Sequence, residues 1–244
     1  MLPSLIRFNF PGIPGVDCLF TTRAFGNISL SMQEDREGTM RRRARLAREI
    51  GAGAFAEAKQ VHGTQIIFEP SPQDPSEDAS VEADGLATSS PGLALMIKTA
   101  DCQPILMAHE SGRHILAIHA GWRGNRQDFP FLATARFCER YALSPHGLWA
   151  VRGPSLGPSS AQFTRFKEEW GADFLPWFDL KEQTMDLWSL TRNQLMRAGI
   201  PQEHIFGIDR CTLDEHDLFF SYRDARKSGC PDGRQASLIA MRQK

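Results

Sequence analysis

Residues 93–124, LALMIKTADCQPILMAHESGRHILAIHAGWRG, contain apolar runs that alternate with short polar segments. Leu93–Lys98, Ile105–Ala108 and His114–Ile118 each have the length and composition of a buried strand. Glu110–Arg113, which reads ESGR, predicts a hairpin turn between the second strand and the third. The stretch therefore predicts the buried centre of a β-sheet.

Helical patterns lie on both sides of this stretch. Thr39–Ile50 is rich in Ala and Arg and is followed by Gly51, which is typical of a helix with a glycine C-cap. Three further helices are predicted at Arg126–Tyr141, Phe163–Trp170 and Asp186–Ala198, and further strands at Thr64–Phe68, Leu148–Val151, Ile205–Ile208 and Gln235–Met241. Because strands and helices alternate without a regular βαβ rhythm, we expect a mixed sheet in an α/β protein.

Two polar segments are expected to face solvent. Phe68–Asp84 is rich in Pro, Ser, Asp and Glu, which predicts a surface loop. Since chemically informative residues lie on both sides of this loop, we expect one domain over residues 1–244 and no boundary inside it. The run Arg41–Arg43 is expected to form the solvated face of its helix.

Composition excludes several classes of partner. The 244 residues carry 28 basic and 29 acidic side chains, a formal net charge of −1, so nucleic acid is not an expected partner. No apolar run approaches the roughly 20 residues that span a bilayer, and the first residues lack a signal-peptide pattern. The five cysteines are odd in number and scattered, which fits free thiols or a metal ligand. We expect a cytoplasmic protein, with a monomer as the default state.

Three polar interruptions of apolar sequence contain potential metal ligands. His62 lies before the strand Thr64–Phe68, Cys102 follows Leu93–Lys98, and His119 ends His114–Ile118. If the last two belong to one hairpin, their side chains can meet at one end of the sheet. Two imidazoles and one thiolate suit Zn²⁺ with a fourth position left for water, whose pKa zinc lowers to about 7 in known enzymes.

Other interpretations of these residues stay open at this point. A single His or Cys is more often a core or hydrogen-bonding residue than a ligand, and the wide spacings form a weak motif. Cys102 and His119 could also act together as a nucleophile and its base without a metal.

Nine short motifs resemble one protein family in the order in which they occur. They are FTTR (Phe20–Arg23), VHG (Val61–Gly63), ADGLAT (Ala83–Thr88), TADCQP (Thr99–Pro104), HAGWRG (His119–Gly124), GPSLGP (Gly153–Pro158), CT (Cys211–Thr212), FFSYR (Phe219–Arg223) and GRQASLI (Gly233–Ile239). Together they resemble the multicopper polyphenol oxidase, or laccase-like, family of bacterial proteins, which are also described as purine nucleoside phosphorylases. The likeness extends over almost the whole chain.

The resemblance implies a fold, a metal and a reaction. The implied fold is a single α/β domain with layered mixed β-sheets flanked by helices, and the implied ligands of zinc are His62, Cys102 and His119. The implied substrates are phosphate and purine nucleosides: adenosine, inosine, guanosine and methylthioadenosine are phosphorolysed, and adenosine is also deaminated by hydrolysis.

Four residues beside the expected metal are candidates for catalysis or substrate binding. Asp101 could move protons during deamination, or it could orient a ligand imidazole instead. Arg123 and Arg23 could contact phosphate, since each lies in a matching motif at the end of an apolar segment. Arg123 could alternatively tie its turn to the core. Gln60 could contact a polar atom of the substrate.

Two other functions remain as alternatives. A copper-dependent polyphenol oxidase would need several His ligands beyond the single His/Cys/His set, so Cu is the alternative metal and zinc the preferred one. A non-catalytic binding protein with a structural zinc would need a fourth protein ligand that closes the site.

Overall fold

The computed structural model describes residues 2–32 and 35–243, which form two large β-sheets, a two-stranded sheet and six α-helices in that part of the chain. The first sheet has the order β1 (Leu5–Asn9), β2 (Val16–Thr21), β13 (Gln235–Met241), β6 (Leu93–Thr99), β3 (Ala54–Ala56). The second sheet has the order β12 (Ile205–Gly207), β9 (Leu148–Arg152), β7 (Gln103–His109), β8 (Ile115–Ala120), β5 (Gly85–Thr88), β4 (Ile66–Phe68). The small sheet pairs β10 (Phe178–Asp179) with β11 (Thr184–Met185).

The helices lie between the strands in sequence. They are α1 (Arg36–Glu49), α2 (Trp122–Arg126), α3 (Phe129–Tyr141), α4 (Phe166–Glu169), α5 (Leu187–Arg197) and α6 (Tyr222–Ser228). Short 3-10 turns lie at Arg23–Phe25, Pro145–Gly147, Ala172–Trp177 and Gln202–His204. No helix among residues 2–32 and 35–243 is long and apolar enough to cross a membrane.

Both large sheets are mixed, as the sequence predicts. The pairs β3/β6, β4/β5 and β9/β12 are parallel, and the other pairs in these two sheets are antiparallel. The predicted hairpin is present, since β7 and β8 pair from Gln103↔Ala120 to Ala108↔Ile115. The expectation of an α/β protein with mixed sheets is therefore confirmed.

The apolar strands are buried on both faces because the two sheets pack against each other and carry helices outside. Alternate residues of a strand point to opposite faces. On β6, Leu95 and Ile97 pack between the sheets, whereas Ala94 and Met96 pack under α1. On the other side of the second sheet, side chains of β7 and β8 pack against α3 and α5. The chain thus has four layers, and the prediction of layered mixed sheets flanked by helices is confirmed.

Helix α1 confirms one prediction and corrects another. It spans Arg36–Glu49 and Gly51 follows it with a φ of 72°, the left-handed conformation of a glycine after a helix end. Arg43, however, is 0% exposed and donates to both carboxylate oxygens of Glu57, at 3.2 and 2.7 Å. The prediction that this run faces solvent is therefore wrong for Arg43, because its charge is paired with Glu57, a buried residue directly after β3.

The helix expected over Arg126–Tyr141 is also corrected. The chain forms the separate helices α2 and α3, and Asp128 between them has a φ of 57°. Pro130 explains the break, because in one continuous helix its ring would clash with the carbonyl of residue 126. The helix expected over Phe163–Trp170 is shorter, with only Phe166–Glu169 helical.

Candidate metal centre

The fold brings together the three residues that the sequence predicts as ligands. His62 lies in the loop before β4, Cys102 in the turn between β6 and β7, and His119 near the end of β8. One potential ligand atom of each lies within 4.8 Å of the others. The register of β7 and β8 explains why Cys102 lies near His119. Pro104 pairs with His119, and Cys102 directly precedes the first paired residue of β7.

One residue of the cluster and one residue next to it, neither of them glycine, have left-handed backbone. The φ of His62 is 61° and that of Asp101, next to Cys102, is 87°. Such backbone costs on the order of 1–3 kcal/mol per residue and is retained where surrounding contacts fix it, often at functional sites. The turns that carry two of the three ligands are therefore held in costly conformations.

A buried carboxylate that was not predicted as a site residue fixes two of the three predicted ligands. Asp84 is 0% exposed, and its Oδ1 lies 2.7 Å from His119 Nδ1. The same carboxylate accepts hydrogen bonds from the backbone N–H groups of Val61, His62 and Gly63 at 3.2, 2.9 and 2.6 Å. Asp84 thus orients the His119 ring and holds the loop of His62, a partnership common around metal-binding histidines.

The electrostatics of the cluster favour a thiolate. Burial opposes ionisation of Cys102, but His119 and hydrogen bonds from His119 and His62 lower the thiol pKa to about 6. Burial alone would lower the pKa of His119, but the Cys102 and Asp84 charges raise it to about 9. Burial likewise opposes ionisation of Asp84, yet His119 and the backbone N–H groups lower its pKa. An anionic sulfur is the form that binds a metal cation.

The donor set fits a zinc ion. The contact of Asp84 with His119 Nδ1 leaves His119 Nε2 for the cluster. His62 Nε2 lies 3.7 Å from Cys102 Sγ. Tetrahedral bonds of the lengths usual for zinc would separate sulfur and nitrogen by about 3.6 Å. Nitrogen and sulfur ligands, their spacing and the supporting carboxylate therefore all suit this metal.

The three predicted ligands line a cavity of about 760 Å³. Gln60, Asp101 and Arg123 also line it, and their roles in catalysis or substrate binding stay predictions. Its aromatic side chains are Trp122, Phe163 and Tyr222. A larger depression of about 1120 Å³ around Trp177 contains none of the three ligands.

Asp101 uses both carboxylate oxygens within the protein. Oδ1 accepts a hydrogen bond from the Thr212 hydroxyl at 2.8 Å, and Oδ2 accepts one from the backbone N–H of Arg223 at 2.8 Å. Asp101 is 6% exposed and lies at the cavity wall. The sequence allows a second role for Asp101, the orientation of a ligand imidazole. In the structure Asp84 makes that contact with His119. Proton transfer by Asp101 stays a prediction.

The other predicted contacts differ in their surroundings. Gln60 donates to the backbone carbonyl of Lys98 and accepts from its N–H, both at 2.8 Å, so its amide clamps two segments together. Arg123 is exposed and packs on Trp122, 4.4 Å from the ring centroid. Arg23 lies over Phe220 at 4.7 Å and is not among the described residues that line the cavity.

Comparisons with known proteins agree with this fold. The sequence matches the family described as multi-copper polyphenol oxidoreductase laccase over residues 20–242. A purine nucleoside phosphorylase of Deinococcus radiodurans is 37% identical over 90% of this chain and 91% of its own length. Purine nucleoside phosphorylase YfiH of Escherichia coli (strain K12) is 33% identical over 74% of this chain and 71% of its own. The crystal structure of YlmD from Geobacillus stearothermophilus has a TM-score of 0.84 and 27% identity, covering 99% of this chain and 97% of that one.

Proposed function

Because the chain belongs to the multi-copper polyphenol oxidoreductase laccase family, we propose that it is a zinc-dependent purine nucleoside phosphorylase that also deaminates adenosine. The proposed phosphorolysis substrates are adenosine, inosine, guanosine and methylthioadenosine. One observation carries the proposal: His62, Cys102 and His119 converge within 4.8 Å at the wall of a cavity lined by aromatic and cationic side chains. The names of the relatives supply the substrate class.

Zinc is preferred over copper because of the ligand count. The three residues form the only group of three or more potential ligands found in residues 2–32 and 35–243. A multinuclear copper cluster would need several more imidazoles. Three protein ligands without a fourth are typical of catalytic zinc, whereas structural zinc is closed by four. This count also disfavours the non-catalytic binding protein.

Asp84, Asp101 and Arg123 have different roles in the proposed reactions. When bound, zinc supplies a Lewis acid that polarises an oxygen atom. Asp84 holds His119 and the His62 loop in place for the ion. In deamination, oxygen from water replaces the C6 amino group, which departs as ammonia after gaining a proton, and we propose that Asp101 moves this proton. In phosphorolysis, Arg123 contacts phosphate.

Product analysis tests the proposed function. The purified protein should convert adenosine to inosine without phosphate, and it should release adenine and hypoxanthine from adenosine and inosine when phosphate is added. Cys102→Ala removes a ligand and should reduce both activities to background. Cys138→Ala is the matched control, since Cys138 lies on α3 outside the cluster and should leave both rates near wild type.

The same assay can contradict the proposal. Zinc-loaded wild-type protein that turns over none of the four nucleosides would exclude the substrate class. Oxidation of a phenol by copper-loaded protein, well above the rate of Cys102→Ala, would favour the polyphenol oxidase.

A further inference from the structure

The cavity contains more basic side chains than the sequence predicts. Five line it, namely Lys59, Lys98, Arg123, Arg223 and Arg234. Three have carboxylate partners: Lys59 pairs with Glu82 at 2.9 Å, Lys98 with Glu57 at 2.9 Å, and Arg234 with Asp232 at 2.5 Å. Arg123 and Arg223 have no ion-pair partner within residues 2–32 and 35–243. These two guanidinium groups are therefore the cations that are available to an anionic ligand.

Arg223 is held firmly beside the metal ligands. Its backbone N–H donates to Asp101 Oδ2 at 2.8 Å, which ties it to the residue before Cys102. Its guanidinium donates to the carbonyl of Ser160 at 3.2 Å and packs over the Phe163 ring at 5.4 Å. These contacts restrict the side chain before any ligand binds, which reduces the entropy lost on binding.

The surroundings of Arg223 leave its charge incompletely satisfied. Burial lowers the pKa of Arg223, and the charges of Asp101 and Cys102 oppose this effect. A guanidinium has five N–H donors. The Ser160 carbonyl is the acceptor of its side chain in the described structure. A half-buried cation with spare donors is a typical partner of a phosphate oxygen.

We propose that Arg223, together with Arg123, binds the phosphate substrate, and that Arg223 takes the role that the sequence suggests for Arg23. The inference rests on the proposed function and names its phosphate site. In the reaction, a phosphate oxygen forms a bond to C1′ of the ribose while the C1′–N9 bond breaks. The electron pair of that bond goes to the purine, which takes up a proton, and the guanidinium groups balance the charge of phosphate.

Arg23 has a different place in this arrangement. Its Nε donates to the carbonyl of Phe219 at 3.3 Å, and its guanidinium lies over Phe220. It therefore supports the segment that leads into α6, which begins at Tyr222 and carries Arg223. Arg23 is a positioning residue on this account, and Arg223 contacts the substrate.

The test compares Arg223→Gln with Lys227→Gln, which removes one charge from an exposed position of the same helix outside the cavity. Arg223→Gln should raise the KM for phosphate about 10- to 100-fold, since hydrogen bonds to charged groups contribute about 1.5–3 kcal/mol. The ratio of phosphorolysis to deamination should fall at least tenfold. Lys227→Gln should keep the wild-type KM. Arg223→Lys, which keeps the charge but loses the planar fork, should lie between the two and serves if the Gln variant does not fold.

A binding measurement separates this inference from the proposed function. Inorganic phosphate at ten times its Kd should raise the Tm of the wild type by roughly 3–5 °C over chloride at equal ionic strength. The rise should disappear in Arg223→Gln and persist in Lys227→Gln. If the wild type turns over no nucleoside, the proposed function is contradicted, but the Tm shift with phosphate still tests whether Arg223 binds phosphate. A phosphate KM and Tm shift in Arg223→Gln equal to those of the wild type, or a larger rise of KM in Arg23→Gln, would overturn the assignment.

Discussion

Replacing Asp84 by asparagine should lower the zinc affinity by about 10- to 100-fold, the usual cost of losing a partner of a metal-binding histidine. The carboxylate accepts from three backbone N–H groups of the His62 loop and contacts His119 Nδ1. An asparagine side chain has the same shape, but its NH₂ group is a donor. It would face either the backbone N–H groups of the His62 loop or His119 Nδ1, where a carboxylate oxygen now accepts. The free energy of unfolding of the metal-free protein should also fall, by roughly 2–3 kcal/mol.

Titration against a chelator of known zinc affinity measures the first effect, and urea unfolding of the metal-free protein measures the second. Asp173→Asn is the matched control, because Asp173 is exposed and lies away from the cavity. Zinc binding by Asp84→Asn as tight as that of the wild type would mean that Asp84 does not hold the ligands.

Replacing Gly121 by alanine should disrupt the cluster through a steric clash. A Cβ atom at Gly121 would lie 2.7 Å from His62 Cδ2 and 3.2 Å from Cys102 Sγ, closer to the ring than such contacts allow. The φ of Gly121 is −70°, so the backbone itself suits alanine and the cost is one of space. Because two ligands must move, zinc affinity should fall about 100-fold or more, a loss of roughly 2.7 kcal/mol.

Gly124→Ala is the control for this change. A Cβ atom there would make its nearest contacts with Phe129 at 3.7 Å, which is ordinary van der Waals distance. This variant should bind zinc like the wild type, and its helical position favours alanine by up to about 1 kcal/mol. The chelator titration checks both variants, and equal affinities in the two would contradict the packing at Gly121.

The central strands were predictable because both of their faces are apolar. β6, β7 and β8 lie between two packed layers, so nearly every residue is buried and the sequence contains continuous apolar runs. β1 is only half-buried and β10 and β11 have two residues each, so none gives a comparable pattern. Register and sheet order depend on contacts that local patterns do not specify.

The convergence of His62, Cys102 and His119 was predictable from residue type and position at strand ends, whereas their supporting residues were not. Asp84 and Arg223 lie in ADGLAT and FFSYR, two motifs of the family resemblance, but only the tertiary structure brings Asp84 to His119 and Arg223 to Asp101. The prediction that Arg43 faces solvent was wrong for the same reason, because its partner Glu57 lies outside helix α1. Charge partners distant in sequence leave no local signal.

Zinc content distinguishes a protein that binds zinc through His62, Cys102 and His119 from one that does not. The wild type, His62→Ala and the control His146→Ala, whose histidine is exposed and outside the cluster, are purified without added metal and analysed for zinc and copper. We expect about one zinc per chain in the wild type and in His146→Ala, and little or none in His62→Ala. A wild-type protein that is active on nucleosides without metal, or equal zinc in all three proteins, would contradict this expectation.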